Sequence, residues 1–225
     1  EAVVLTHLQN PFVRLPLVDN DLSFYTQPEV QQRYIEYLAE TKRVPLSAQV
    51  APFAEAVHSQ SESGNTACFL TQLTRHLHAS FDYVPGATHV HTHLEEFLEL
   101  RRGVCQDFAH LFLAICRREG IPARYVSGYI YTGNKPSTEE YIYHEEGRNL
   151  VGDDATHAWA ECLLPNGVWA GFDPTNNLVV NDHYIKVHDG RDYSDVTPVR
   201  GVYSGGEASV LDVRVQVTCE DRQAS

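Results

Sequence analysis

The sequence predicts an α+β domain in which N-terminal helices pack on a mostly antiparallel sheet. Three observations predict it: apolar residues recur at helical spacing up to residue 119, the period then changes to two, and a hairpin signal follows near residue 165. Helices that precede strands, rather than alternate with them, are typical of this class. The chain has 225 residues, 43% of them hydrophobic, which is enough for one domain with a substantial core.

Four helices are predicted before residue 101, each from an N-terminal capping signal followed by apolar residues on one face. The first runs from Pro28 to about Lys42, and the last is short and reaches Leu100. The capping signals are Thr26 with Glu29, Ser47, Asn65, and Thr92 with Glu95.

The most regular predicted helix runs from Cys105 to about Glu119, and Gly120 and Pro122 end it. Beyond it the alternation predicts strands, and the polar segment 133–154 predicts a mobile loop. The predicted strands are 123–131, 157–164 and 168–173 (a hairpin around 165–167), 183–187 and 211–217.

Charge and composition exclude several classes of function. A net charge of -13 disfavours nucleic-acid binding, and no apolar run approaches the roughly 20 residues that a membrane helix needs. The five cysteines are an odd number without a C-x-x-C pair, so neither a zinc cage nor a disulfide framework is expected. Free thiols predict a reducing compartment and a cytoplasmic location.

Two regions are predicted along the chain: an extended segment at 1–22, which shows no helical period, and a folded domain at 23–225. The chain begins with Glu1 and contains no Met, so we expect the natural start to be missing.

Cys105 is a candidate nucleophile because a loop meets a long helix there, directly after Gly103-Val104. The first N–H groups of a helix have no partner inside it, and the helix dipole places partial positive charge at this end. Both features favour a thiolate, and the same N–H groups can donate to an oxyanion. Gly103 would allow close approach of a substrate. Taken alone, the cysteine is better interpreted as a half-buried small residue.

His157 and Asp173 lie on the two strands of the predicted hairpin. A three-residue turn at 165–167 places Trp159 opposite Asp173, so that His157 is diagonal to Asp173 on the same face. Diagonal neighbours are roughly 7–8 Å apart, a distance that these two side chains can bridge. Asp173 could then accept from one ring nitrogen and leave the other for Cys105. A two-residue turn would put Asp173 on the opposite face, so the register is a strict requirement.

Several segments resemble the bacterial transglutaminase-like superfamily, and the resemblance covers roughly residues 65–218. They are Gly-Val-Cys-Gln-Asp-Phe-Ala-His at 103–110, Gly-Ile-Pro-Ala-Arg-Tyr-Val-Ser-Gly-Tyr at 120–129, His-Ala-Trp at 157–159, Phe-Asp-Pro-Thr-Asn at 172–176, and a stretch from 190 to 201.

The resemblance implies a papain-like core in which a cysteine heads a helix packed on an antiparallel sheet that supplies a histidine and an aspartate. Carried over by position, the nucleophile is Cys105, the base is His157 and the group that orients the base is Asp173. The resemblance also implies that the 1–22 segment is the remnant of an N-terminal β domain.

The predicted activity is acyl transfer from a protein or peptide amide through a thioester, without a metal or organic cofactor. Hydrolysis of a protease or amidase type is favoured, because nothing in the sequence specifies an amine site. Protein-glutamine crosslinking and a non-catalytic binding module are the alternatives.

Other histidines have less weight as catalytic candidates. His89, His91 and His93 would share a face of a strand and could bind a metal, which predicts a metal-dependent hydrolase as a third alternative. A solvated loop is favoured, because no carboxylate or thiolate ligand lies near them in the sequence. Asp107 and His110 share a helix face and are predicted to have structural roles.

Overall fold

The computed structural model of the chain describes residues 2–15, 21–60, 65–131, 156–197 and 217–218. Within these residues helices come first and most strands come later. The helices are α1 (Pro28–Arg33), α2 (Ala51–Gln60), α3 (Thr66–Ser80), α4 (Leu94–Leu100) and α5 (Cys105–Arg118). The strands are β1 (Asp82–Tyr83), β2 (Arg102–Gly103), β3 (Ala123–Ile130), β4 (His157–Leu163), β5 (Trp169–Asp173), β6 (Leu178–Val179) and β7 (Tyr184–Gly190).

The main sheet has five strands in the order β6-β5-β4-β3-β7, and every neighbouring pair in it is antiparallel. A small parallel pair, β1 with β2, leads into α5. Helix α5 packs on β3 and β4 at the centre of the sheet. The predicted α+β class is therefore confirmed.

The core lies between α5 and the sheet. Residues 106–117 of this helix are all buried, because the sheet covers one side of it and α2, α3 and α4 pack around the rest. Phe112 is fully buried and stacks on Phe172 of β5, with 5.9 Å between the ring centroids. Gly120 has φ +78°, the left-handed conformation that ends the helix as predicted.

Two of the predicted N-caps are confirmed. The Ser47 hydroxyl accepts from the Gln49 N–H at 3.2 Å, before a 3-10 turn that leads into α2. The Asn65 side chain accepts from the Cys68 N–H at 2.9 Å and caps α3.

Both predicted capping boxes are wrong, although a helix follows each of them. The Thr26 hydroxyl donates to the Ser23 carbonyl at 2.9 Å within a preceding 3-10 turn. The Thr92 hydroxyl accepts from the His89 N–H at 3.0 Å within a turn. In both cases the hydroxyl bonds within the turn before the helix, and the helix begins one residue later than predicted, with Gln27 and His93 at the N-cap positions.

The first helix is shorter than predicted, since α1 ends at Arg33 and a 3-10 turn (Ile35–Tyr37) follows. Tyr34 and Tyr37 each pack edge-on against Trp169 of β5, with centroids 5.9 Å and 5.3 Å away. This contact with the sheet replaces the regular helix that the apolar period predicted.

The predicted hairpin register is confirmed. Leu163 pairs with Trp169, and the Leu164 N–H donates to the Val168 carbonyl at 2.8 Å. The turn at 165–167 therefore has three residues, and Gly167 has the positive φ of +80° that closes it.

The N-terminal part is only partly extended. Residues 11–14 and 21–26 form 3-10 turns, and Asp21 accepts from the Thr66 N–H and hydroxyl at 2.9 Å and 2.6 Å. Asp21 thus joins the second turn to the start of α3, whereas the division into 1–22 and 23–225 stays a prediction. The predicted loop at 133–154 and nearly all of the predicted strand at 211–217 lie outside the described residues.

No helix within the described ranges is both long enough and apolar enough to cross a membrane. The cytoplasmic location stays a prediction.

Candidate active site

Cys105 is the first residue of α5, and it is half-buried with a free thiol. The Asp107 carboxylate accepts from the Val104 N–H at 2.8 Å and from the Thr88 hydroxyl at 2.5 Å, and so fixes the start of the helix. A side chain at Gly103 would come within 2.5 Å of that carboxylate. Asp107 therefore has the structural role that was predicted, and packing leaves no space for a side chain at Gly103. The close approach of a substrate to Gly103 stays a prediction.

His157 and Asp173 are in direct contact. The His157 Nε2 and Asp173 Oδ2 atoms are 2.7 Å apart, and both side chains are fully buried. His157 begins β4 and Asp173 ends β5, so the contact is the diagonal one that the hairpin register allows.

The Asp173 carboxylate is saturated with hydrogen-bond donors. Its Oδ1 atom accepts from the backbone N–H groups of Thr175 at 2.9 Å and Asn176 at 3.2 Å. Its Oδ2 atom accepts from His157, from the Asn176 side-chain amide at 2.8 Å and from the Tyr184 hydroxyl at 2.7 Å. Burial would raise the pKa of Asp173, but the charge of His157 and these hydrogen bonds lower it overall. The group therefore stays a carboxylate.

The other ring nitrogen of His157, Nδ1, is buried and has no hydrogen-bond partner of regular geometry among the described residues. The Cys105 side chain nevertheless interacts with the imidazole and favours its charged form. Burial alone would lower the pKa of His157, but Asp173 and then Cys105 raise it to about 10. His157 is therefore an imidazolium at neutral pH, with Asp173 on one nitrogen and Nδ1 left for the sulfur.

An aromatic wall closes the site on the side of the sheet. The Trp159 ring is 1% exposed and lies nearly parallel to the His157 imidazole, with 6.3 Å between centroids. A side chain at Gly128 would clash with the Ile185 backbone carbonyl oxygen and come within 2.6 Å of this ring, so the glycine leaves room for both the neighbouring strand and the tryptophan. Excluding water in this way strengthens the electrostatic interaction between His157 and Asp173.

The structure thus groups the three predicted residues, which come from α5, β4 and β5. Two further residues, Asn176 and Tyr184, were not identified from the sequence. Asn176 follows Asp173 by three residues in a turn that could have suggested it. Tyr184 begins β7, and no local pattern connects it to Asp173.

His110 is buried and its Nε2 atom accepts from the Tyr193 N–H at 3.2 Å. Burial lowers the pKa of His110 to about 3, so the ring is neutral. This arrangement fits the predicted structural role.

The 89–93 histidines lie in a turn before α4, as the loop prediction has it, and not on a strand. The His89 ring bonds the Thr92 hydroxyl at 2.8 Å, and His91 and His93 are exposed. In the part of the chain that the structure covers, no three His, Cys, Asp or Glu side chains form a group that could hold a metal ion.

Comparison with known proteins identifies the family of the chain. The family model of the Transglutaminase-like superfamily matches residues 53–174, a span that includes Cys105, His157 and Asp173. An uncharacterized protein of Mycobacterium leprae is 35% identical over 219 residues, which are 95% of this chain and 73% of that protein. A protein-glutamine gamma-glutamyltransferase of Pseudomonas aeruginosa is 31% identical over 134 residues, 58% of this chain and 18% of that protein.

A solved structure shares the fold. The crystal structure of a candidate cysteine protease from Cytophaga hutchinsonii matches with a TM-score of 0.57 and 27% sequence identity, over 80% of this chain and 55% of that chain. This chain therefore spans only about half of that protein. Since the family model covers more than half of the present sequence, the chain belongs to the transglutaminase-like superfamily.

Proposed function

We propose that the chain is a cysteine-nucleophile enzyme that transfers acyl groups from protein or peptide amides through a thioester, with water as the acceptor. The observation that carries the proposal is the buried His157–Asp173 pair, 2.7 Å apart, whose second ring nitrogen is left for Cys105. A histidine held in this way can both keep a thiolate charged and deliver a proton.

In the first half of the reaction, the Cys105 thiolate attacks the carbonyl carbon of the amide. The carbonyl oxygen becomes an oxyanion, and we expect the Cys105 N–H at the start of α5 to donate to it. The first helical hydrogen bond is made by the Asp107 N–H to the Val104 carbonyl at 2.9 Å, so the earlier N–H of Cys105 is not used by the helix. His157 then gives its proton to the nitrogen of the leaving amine, the C–N bond breaks, and a thioester remains.

In the second half, water attacks the thioester while His157 takes a proton from it. The C–S bond breaks, the acid leaves, and the thiolate–imidazolium pair is restored. Asp173 does not take up a proton in either step, because five donors surround its two oxygens. Its role is to orient the ring and to stabilise the imidazolium.

An amine could replace water as the acceptor. The similarity to a protein-glutamine gamma-glutamyltransferase favours this second candidate, in which a glutamine side chain is the acyl donor and a crosslink is the product. A binding module without catalysis is the competing possibility.

The test is mass spectrometry of the intact protein after incubation with peptide amides and a quench in acid. Cys105→Ala abolishes the adduct, and Cys68→Ala, which removes the other half-buried thiol of the described chain, leaves it in place. Hydrolysed peptide supports water as the acceptor, whereas a new amide formed with an added lysine analogue supports crosslinking. If the folded protein forms no adduct with any of the peptide amides and turns none of them over, the proposed activity fails and the non-catalytic binding module is the remaining interpretation.

A further inference from the structure

The Tyr184 hydroxyl donates to the same oxygen of Asp173 that accepts from His157. The distance from the Tyr184 oxygen to Asp173 Oδ2 is 2.7 Å, equal to that from His157 Nε2. Tyr184 is buried at the start of β7, and its ring packs edge-on against Trp159 at 5.3 Å. The phenol and the imidazole therefore share one negatively charged oxygen.

The carboxylate would hold its orientation without this phenol. Its Oδ1 atom is fixed by the N–H groups of Thr175 and Asn176, and its Oδ2 atom also accepts from the Asn176 side chain. The Tyr184 hydroxyl adds a further donor that disperses negative charge at Oδ2. A carboxylate with dispersed charge attracts the imidazolium proton less strongly.

Few groups near the pair can titrate. Among the described residues, the titratable side chains in contact with this pair are Cys105 from α5 and Tyr184 from β7. The contacts from Trp159, Thr175 and Asn176 involve groups that do not titrate. Burial, followed by the charge of Asp173, raises the pKa of Tyr184 well above its usual value. The phenol thus stays a donor throughout the working range of pH.

We propose that Tyr184 is a positioning residue, acting through Asp173, whose O–H limits how firmly the His157 imidazolium holds its proton. This inference rests on the proposed function, in which that proton must pass to the leaving amine. Without the phenol, the His157 imidazolium would persist to higher pH, and proton delivery would be slower.

The test is the pH dependence of the alkylation of Cys105 by iodoacetate, measured by peptide mass spectrometry. Iodoacetate is an anion, so the rate at which it alkylates Cys105 falls when the neighbouring imidazolium loses its proton. In Tyr184→Phe we expect the midpoint of this fall to move up by about half a pH unit, a threefold change in the acid dissociation constant. In Asp173→Asn it moves down, because the stabilising charge is gone.

Two controls separate the possible failures. Ile130→Val alters the same small apolar cluster and leaves the hydroxyl in place, so its midpoint stays at the wild-type value. If Cys105 and His157 form a thiolate–imidazolium pair, His157→Ala removes the fall in alkylation rate altogether. If His157→Ala keeps the wild-type profile, the proposed function fails. The other outcome concerns Tyr184 alone. If the fall in rate disappears in His157→Ala, but the midpoint in a Tyr184→Phe variant of unchanged melting temperature stays in place or moves down, only the role of Tyr184 is overturned.

Discussion

The substitution Asp173→Asn keeps the shape of the side chain and removes its charge, and the surroundings of Asp173 determine the cost of this change. Three donors converge on Oδ2 and two backbone N–H groups on Oδ1. An amide has an acceptor oxygen on one side and an NH₂ donor on the other. In either orientation of the amide, its NH₂ group faces hydrogen-bond donors of the site, and these donors are left without an acceptor.

The magnitude depends on the charge of His157. Burial lowers the pKa of His157, but Asp173 and Cys105 raise it to about 10 from a usual value of 6.5. This difference corresponds to about 5 kcal/mol at 1.36 kcal/mol per pH unit. Removing one partner of a buried ion pair costs about 3–5 kcal/mol. We therefore expect the free energy of unfolding to fall by about 3–5 kcal/mol at pH 6 in the variant.

The effect has a definite dependence on pH. Because the folded pKa of His157 lies above its unfolded value, the stabilisation is complete below pH 6.5 and is lost as the pH rises to about 10. The pKa of Asp173 is lowered, so its contribution is present above the usual 3.8 and is lost only in stronger acid. The difference between wild type and variant should thus be largest from about pH 4.5 to 6.5. At pH 9 it should be smaller by about 3 kcal/mol, because only the cost of the donors left without an acceptor remains in full.

Urea unfolding at pH 6 and pH 9, monitored by far-UV circular dichroism, measures this difference. Asp82→Asn is the matched control, since Asp82 is exposed and the same change there should alter stability by less than about 0.5 kcal/mol. The ion pair between His157 and Asp173 would be refuted if Asp173→Asn lost the same free energy of unfolding at both pH values, or lost no more than the control.

Three further predictions concern the framework of the site, each measured by urea unfolding. Phe112→Ala removes a fully buried ring and should cost about 3–5 kcal/mol. Gly128→Ala forces a methyl group against the Ile185 backbone carbonyl oxygen and to within 2.6 Å of the Trp159 ring, should cost about 1–3 kcal/mol, and should also slow alkylation of Cys105. Arg117→Met leaves the buried Ala123 carbonyl without its two guanidinium donors, and should cost about 3 kcal/mol. A loss below about 0.5 kcal/mol in any of these would contradict the packing described for it.

Features that depend on neighbouring residues were predictable from the sequence. The caps at Ser47 and Asn65, the end of α5 at Gly120 and the three-residue hairpin turn each depend on a few adjacent residues. The contact of His157 with Asp173 then depends on the register of one hairpin. The early end of α1 was not predictable in this way, because Tyr34 packs on a tryptophan that is distant in the sequence.

The donors around Asp173 were also not predictable from neighbouring residues. Tyr184 meets Asp173 only because β7 joins the far edge of the sheet beside β3, and this pairing has no local signal. The capping boxes failed for the opposite reason, since Thr26 and Thr92 fit the pattern but bond within the preceding turns. A pattern shows which bonds a hydroxyl can make, and the tertiary structure determines which one it makes.

The central claim is that His157 activates Cys105, and the most direct measurement compares the iodoacetamide alkylation rates of Cys105 and Cys68 at pH 6. Cys68 is a matched reference, because it is also half-buried in the first turn of a helix, and its sulfur accepts from the Gln72 amide at 3.3 Å. Cys105 should react about tenfold faster or more, and His157→Ala should remove this advantage. Equal rates in the wild type, or an advantage that survives His157→Ala, would contradict the claim.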